Sequence, residues 1–375
     1  MLYGDGIHDD TSAIQELLDK RGNVSIDFVG NFLISKTLII HSNTKLTIAP
    51  GAKLFCAPMS HCSLIQNEHF AGGGIDENIE IVGGIWDGNC DNMGLDGEKF
   101  TLERNNIPWS PESFRGKLMR FCNVKSIKIS GLTIKNPVSY GLQIGAVKGF
   151  IVRDIYFDYN HHFGTTDGVH INGPAYTGTI ENIYGTTNDD LVSLTTYDEP
   201  HAECSLGDIE QVYIHNISAD NGFSGIRLLS GENYSLRDIH IDGVYGTYRH
   251  NGIVISNHCR RPGKVWFDNI IIENVHCRKS HTPLGDGCFK YWENGTDYLP
   301  IIQIETEAIC GRITIRNIIR HEFEGTNAPI IRATDTVKID RLLLENIHQT
   351  VDNGTAPTIE LDCEIGELIK RDVIE

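Results

Sequence analysis

Three aspartates stand at the start of two short apolar strands. Asp167 begins the segment DGVHI, while Asp189 and Asp190 precede the apolar residues of DLVSL. Aligning the two segments by their apolar positions predicts that the three carboxylates lie side by side, at the ~4.8 Å spacing of neighbouring strands. Like charges this close raise the pKa of at least one carboxyl, which yields a proton donor beside an ionised base. Hydrolysis of a glycosidic bond uses such a pair, because one carboxyl protonates the leaving oxygen while a carboxylate activates water.

Two other interpretations of the same aspartates stay open. Aspartate in TTDG and NDD also makes turns, as Asp and Asn do at the corners of repeated folds. The same carboxylates could instead hold Ca²⁺, which takes oxygen ligands. We favour the catalytic interpretation, because three carboxylates on adjacent coils are costly unless they are used. We therefore predict no metal and no other cofactor.

The two strands belong to a repeat of the form x-I-x-I-x-x-I-x-I-x-N, whose copies start mostly 23 to 33 residues apart. Apolar and polar residues alternate within each strand, which indicates one buried and one solvated face. Short strands that recur at this period predict an all-β fold, a right-handed parallel β-helix in which each coil stacks on the one before. The repeat covers 78–89, 126–136, 150–160, 178–188, 211–221, 234–244, 264–274, 312–322 and 337–347, and second short strands cover 141–145, 167–171, 190–194, 225–229 and 252–256.

Stacking the second strands predicts two outward columns of side chains on one face of the solenoid. The two neighbours of each first-column residue along its strand, such as Val169 and Ile171 beside His170, should point into the core. The first predicted column is Gln143, His170, Ser193, Arg227 and Val254; the second is Tyr140, Asp167, Asp190, Ser224 and Asn251.

The rest of the chain is predicted to complete a single domain over 1–375. Residues 1–22 should form a capping helix, with Asp10 or Thr11 as its N-cap and apolar residues at helical spacing. Segments 87–118 and 278–300 lack the repeat and are predicted to be long loops that wall a cleft.

Composition excludes several functions. The chain has 50 acidic and 32 basic residues and a formal net charge of −18, which argues against nucleic acid or an anionic membrane as partner. No apolar run approaches 18 residues, and residues 1–15 lack the pattern of a signal peptide. We expect a cytoplasmic protein, or a secreted one if a signal was removed. The ten cysteines are scattered without a CxxC pair, so most should be small buried side chains.

The motifs GGIWDGN, TTDGVHI, NDDLVSL, FSGIRLL and NGIVIS occur in that order over 83–256. In this order the chain resembles the polygalacturonase-like glycoside hydrolases of family 28, within the pectin lyase-like superfamily of right-handed parallel β-helices. The opening GDGIHDDTSAIQ also resembles the start of many such proteins, phage tailspikes included. The resemblance implies that Asp189 is a general acid, that Asp167 and Asp190 activate water, and that the reaction inverts the anomeric centre without metal. Columns ~4.8 Å apart would by themselves favour retention.

Two motifs depart from the family. Its Gly-His-Gly falls on FSG, where Ser224 replaces the histidine, and its Arg-Ile-Lys falls on VIS, so both cations that bind the galacturonate carboxylate are missing. This departure favours another sugar, such as a neutral glycoside. Arg227 argues the other way, because it lies in the column of the missing arginine and arginine can bind a carboxylate through two hydrogen bonds. The predicted substrate-binding residues are His162, His170, Ser224, Arg227, Asn251, Arg260 and Arg261.

Three functions follow from these features. The first is an inverting glycoside hydrolase that acts on a pectic, galacturonate-containing glycan or a related glycan. The second is a Ca²⁺-dependent polysaccharide lyase, in which Arg227 or a lysine near it abstracts the proton next to a uronate carboxylate. The third is a non-catalytic, tailspike-like β-helix that binds carbohydrate, possibly as a homo-oligomer. All three predict an oligo- or polysaccharide as the partner.

Overall fold

The computed structural model describes residues 1–103, 106, 113–197, 204–257, 266–290 and 298–374. Within these residues the chain forms a right-handed parallel β-helix, as the repeat predicts. Its core is a continuous column of buried Ile, Val, Leu and Phe side chains contributed by every coil. No helix among the described residues is long and apolar enough to cross a membrane.

Twenty-five strands and three short helical segments lie in the described part of the chain. The strands are β1 (Asp5–Asp9), β2 (Gly22–Ile26), β3 (Asn31–Ile34), β4 (Leu38–Ile40), β5 (Thr44–Ile48), β6 (Lys53–Cys56), β7 (Ile65–Asn67), β8 (Asp76–Val82), β9 (Ile85–Asp87), β10 (Met119–Ser130), β11 (Thr133–Lys135), β12 (Leu142–Asp158), β13 (Val169–Thr186), β14 (Asp190–Thr195), β15 (Ile209–Gly222), β16 (Ser224–Leu229), β17 (Ser235–Tyr248), β18 (Ile253–Ser256), β19 (Trp266–Lys279), β20 (Ile302–Glu305), β21 (Ile309–Glu324), β22 (Ile331–Ala333), β23 (Lys338–Asn353), β24 (Ile359–Leu361) and β25 (Glu364–Val373). The helices are α1 (Thr11–Leu18), a 3₁₀ turn (Cys90–Asn92) and α2 (Gly97–Glu103).

One face of the solenoid carries the predicted site, and we call it the site sheet. It consists of β4, β7, the first residues of β10, β12 and β13, and then β14, β16, β18, β20, β22 and β24. His170 pairs with Gln143 on one side and Ser193 on the other, and Ser193 pairs in turn with Arg227. The predicted register of the column is therefore confirmed, although Gln143, His170 and Ser193 are nearly buried. The residues predicted to point inward, including Val169 and Ile171, are fully buried.

The long strands correct one prediction, because the repeat suggested strands of three to five residues. Strands β12 and β13 instead run for 17 and 18 residues. A single residue in the left-handed region turns each corner, such as Asp154 (φ 56°) or Asn182 (φ 56°), so the ladder continues on both sides. These corner side chains also stack, since Asn216 donates to Asn182 and Asn182 donates to Asp154, each at 2.8 Å.

The amino-terminal helix lies where the sequence predicts it, but its capping differs. Asp10 occupies the N-cap position, yet its carboxylate accepts hydrogen bonds from the backbone of Tyr3 (2.6 Å) and Gly4 (3.0 Å) instead of capping α1. The first amide of the helix, that of Thr11, donates to Asp9 at 2.9 Å. The helix buries Ile14 against the first coil and so covers the end of the core.

The two segments predicted to be long loops contain regular structure. Segment 87–118 holds the 3₁₀ turn and α2, which the sequence did not predict, and in segment 278–300 strand β19 continues to Lys279. Each segment connects a strand of the repeat to the next strand of the site sheet, so both segments flank the same edge of that sheet.

Candidate functional site

The three aspartates meet at the start of β13 and β14. One carboxylate oxygen of each lies within 4.8 Å of one oxygen of the other two. The amide of Gly168 donates to the carbonyl of Asp190 at 2.9 Å, which holds the two coils in this register. Asp167 and Asp190 are each only 4% exposed, whereas Asp189 is partly exposed. The cluster therefore has two nearly buried carboxylates and one that solvent or a ligand can reach.

Arg227 supplies a positive charge to this cluster. Its Nε donates to Oδ2 of Asp190 at 2.8 Å, and the side chain is only 14% exposed. Burial raises the pKa of Asp190, and the charge of Asp167 raises it further, while Arg227 and the hydroxyl of Ser224 oppose this rise. The other oxygen of Asp190, Oδ1, is buried and accepts no hydrogen bond from any described residue.

His170 orients Asp167. Its Nδ1 lies 2.5 Å from Oδ2 of Asp167, and both side chains are nearly buried. The amide nitrogen of Asn172 lies 3.2 Å from Nε2; with this amide as the donor, the ring carries its proton on Nδ1 and donates it to Asp167. The ring of Tyr140 stacks on the imidazole with centroids 4.1 Å apart, and Lys117 Nζ lies 4.6 Å from the Tyr140 centroid. These contacts fix the carboxylate and leave His170 little surface for substrate.

Ser224 and Asn251 are both buried beside the aspartates. The hydroxyl of Ser224 lies 3.4 Å from Nδ1 of His250, and the amide of Asn251 donates to the carbonyl of Pro300 at 2.5 Å. Of the two, only Ser224 faces a carboxylate of the cluster, since its hydroxyl lowers the pKa of Asp190. The side-chain amide of Asn251 is committed to the backbone of a neighbouring coil.

His250 is a residue that the sequence analysis missed. It stacks on Phe223 with ring centroids 4.7 Å apart. Burial holds its pKa well below the usual range, and the nearby charges of Arg227, Lys279 and Arg249 lower it further. The ring is thus a neutral partner for Ser224. The only sequence signal was its place directly before Asn251, one residue outside the aligned column.

Replacing His250 by lysine is expected to destabilise the fold by about 3 kcal/mol or more, because a permanent charge would be buried among three cations. His250→Gln keeps a neutral side chain and should cost about 1 kcal/mol. Urea unfolding of both variants measures the difference, with His276→Lys at an exposed position as the control. Equal stability of the lysine and glutamine variants would contradict a cationic environment at His250.

His162 lies on a cavity at the flanked edge of the site sheet. Its Nδ1 is 2.6 Å from Oδ1 of Asp91, and the side chain is 41% exposed. The cavity has a volume of about 800 Å³ and is walled by residue 91 and by 95–98, 162–163 and 287–290. Asn188 connects it to the aspartates, because its amide donates to the carbonyls of Phe163 (3.1 Å) and Phe289 (2.8 Å) and the next residue is Asp189.

The remaining predicted binding residues are two arginines. Arg260 and Arg261 lie outside the described residues. Val254 and Ser256, which stand where the family carries its two cations, are each 1% exposed. The carboxylate-binding pair of the family therefore has no counterpart at these two positions.

No protein-family model and no curated protein sequence matches the chain. Solved structures do. The polygalacturonase of Erwinia carotovora ssp. carotovora matches with a TM-score of 0.60 at 15% identity, over 96% of this chain and 94% of that one. The family 28 exopolygalacturonase of Yersinia enterocolitica matches with a TM-score of 0.56 at 15% identity, over 96% of this chain and 76% of that one.

The surface adhesin PfbA of Streptococcus pneumoniae is similar to nearly the same extent. It matches with a TM-score of 0.52 at 15% identity, over 97% of this chain and 91% of that one. Identities this low show the fold alone. The chain thus has the right-handed parallel β-helix fold that these two polygalacturonases share with an adhesin.

Proposed function

We propose that the protein is a glycoside hydrolase that cleaves a pectic or related glycan with inversion at the anomeric centre. The observation that carries hydrolysis is the cluster of Asp167, Asp189 and Asp190, whose oxygens lie within 4.8 Å of one another on two adjacent coils. Hydrolysis of a glycosidic bond needs a protonated carboxyl as the general acid and an ionised carboxylate that activates water. Inversion is proposed from the resemblance to family 28, whose close aspartates are an exception to the rule that such a spacing favours retention.

The charges around the cluster support a division of roles. Protonation of Asp190 would leave the buried cation of Arg227 unpaired, so the pair favours an ionised Asp190 even though burial raises its pKa. Asp167 is likewise held by a donor, the Nδ1–H of His170. Asp189 then faces two carboxylates, and it is also the most accessible of the three. We assign the general acid to Asp189 and the activation of water to Asp167 and Asp190.

The substrate is proposed at the level of a class. Two of the structural neighbours are named polygalacturonases, which favours a galacturonate-containing glycan. The apolar and hydroxyl side chains of Val254 and Ser256 favour a neutral sugar at the corresponding position. Arg227 does not decide between them, because its Nε is bound to Asp190. The same bond disfavours the lyase hypothesis, in which Arg227 would act as a base.

Product analysis tests the proposal. We expect new reducing ends from one member of a panel of galacturonan, rhamnogalacturonan and neutral α-galactosides, with equal rates with and without a chelator. The first product should carry the anomeric configuration opposite to that of the bond cleaved, which NMR detects before mutarotation. An unsaturated product that requires Ca²⁺ would indicate the lyase. Retained configuration would contradict inversion but not hydrolysis.

A carbohydrate-binding protein without activity is the second candidate, and the similarity to the pneumococcal adhesin favours it. It predicts that no glycan of the panel is cleaved while calorimetry still detects binding. In that case Asp189→Asn should leave the affinity unchanged, because an isosteric amide preserves the shape of the site.

A further inference from the structure

A second pocket lies on the amino-terminal side of the aspartates. It has a volume of about 230 Å³ and is lined by Lys36, His61, Arg120, several hydroxyl side chains and the thiol of Cys62. None of its described lining residues is acidic, in a chain that carries 50 acidic residues against 32 basic ones. Two cations and hydroxyl donors around a concave space are what a small anion requires.

Arg120 belongs to the site sheet and is held in place there. Its Nε donates to the neutral side chain of Gln66 at 2.8 Å, and its guanidinium lies 4.5 Å from the ring centroid of Phe70. Both contacts orient the group without neutralising its charge. Lys36 is exposed in the turn between β3 and β4, and it forms no ion pair with any residue in the described ranges.

The thiol of Cys62 lines the pocket beside these cations. Its pKa is lowered to about 7, first by a hydrogen bond from the thiol of Cys56 and then by the hydroxyl of Ser60, with a contribution from Arg120. The nearest carboxylate named among the opposing influences is Asp9, which already accepts hydrogen bonds from the hydroxyls of Thr11 and Ser35, both at 2.5 Å.

We propose that this pocket binds a small oxyanion, a carboxylate, sulfate or phosphate group, between Arg120 and Lys36. Arg120 pairs through Gln143 with His170, so it lies two coils from the aspartate cluster, roughly 10 Å at ~4.8 Å per coil. The group can be a free anion or an acidic substituent on a glycan that extends along the site sheet. Only the second source rests on the proposed function.

The reactivity of Cys62 measures occupancy in the full-length protein. The rate of its alkylation by iodoacetamide at pH 7.5 is followed by peptide mass spectrometry, with phosphate, sulfate or galacturonate titrated at constant ionic strength. We expect a saturable decrease of at least threefold at Cys62 and none at Cys363, which lies on a distant coil. Arg120→Gln should abolish the saturable decrease, while Arg153→Gln, an exposed arginine elsewhere, should retain it. A decrease that chloride reproduces, or that survives Arg120→Gln, would overturn the proposal.

Oligosaccharides distinguish the two sources of the anion. In the Asp189→Asn background, an acidic oligosaccharide that protects Cys62 at a tenfold lower concentration than its free anion supports binding along the site sheet. Protection by free anions alone supports the pocket and overturns the glycan source. If Cys62 is protected but the wild type hydrolyses no glycan, the proposed function fails and the anion pocket stands. If the wild type hydrolyses a glycan but no anion protects Cys62, the anion pocket fails and the proposed function stands.

Discussion

Asp189→Asn and Asp190→Asn are expected to abolish hydrolysis alike but to differ in stability. Each variant removes a carboxyl that transfers a proton or holds the attacking water, so product formation should fall by about 10²- to 10⁴-fold. Asp189 is partly exposed, and its amide analogue should unfold within about 0.5 kcal/mol of the wild type. Asp190 is nearly buried, and burial raises its pKa even though Arg227 pairs with it, so the neutral amide should make the fold more stable than the wild type near neutral pH.

Urea unfolding and the product assay, run on the same preparations, test both halves of this prediction. Asp238→Asn is the matched control: it changes an exposed corner aspartate (φ 57°) to a residue that tolerates the same backbone conformation, so activity and stability should persist. Hydrolysis above a tenth of the wild-type rate in Asp189→Asn would refute the assignment of the general acid. An Asp190→Asn variant less stable than the wild type would show that the ion pair with Arg227 outweighs the cost of burying the carboxylate.

The fold was accessible from the sequence because the solenoid repeats one rule on every coil. Alternation of period two decides which side chains point inward, and stacking of identical coils then decides which outward residues are neighbours. This is why Gln143, His170 and Ser193 could be placed in one column, and why aspartates 22 residues apart, Asp167 and Asp189, could be brought together.

What the sequence could not supply is the direction of individual side chains. Arg227 was assigned to a substrate carboxylate from its column, whereas the side chain reaches diagonally to Asp190 on the neighbouring strand. His250 lies outside the aligned column, so its contact with Ser224 could not be read from the register of the strands. Helix α2 escaped notice because only seven residues form it and no repeat marks it. The capping role predicted for Asp10 was wrong for the same reason, because its carboxylate accepts hydrogen bonds from the backbone of Tyr3 and Gly4 instead of from the helix.

Arg227→Met is expected to move the acid limb of the kcat/KM profile to higher pH by at least one unit. Burial raises the pKa of Asp190 above its ordinary value of 3.8, and Arg227 opposes that rise, so removing the cation raises the pKa further. If ionised Asp190 activates water, the variant reaches its active form only at higher pH. Activity should be lost at pH 5 and recover in part toward pH 8. An unshifted limb would remove Asp190 from the ionising groups of the reaction.

The free energy of unfolding should also depend on pH through the titration of Asp190. A carboxyl whose folded pKa lies above its unfolded value stabilises the fold when protonated, and that contribution is lost as the pH rises from about 3.8 through the folded pKa. Arg227→Met raises the upper end of this window, so its free energy of unfolding should decline further between pH 4 and pH 8 than that of the wild type.

The double variant Arg227→Met/Asp190→Leu removes both charges. It should be more stable than a single variant that leaves one of the two charges buried without its partner, because apolar side chains of similar volume often replace a buried ion pair without loss. It should remain inactive at every pH. Recovery of stability without activity would separate the two roles of Asp190, as the partner that compensates a buried arginine and as the base that the reaction uses.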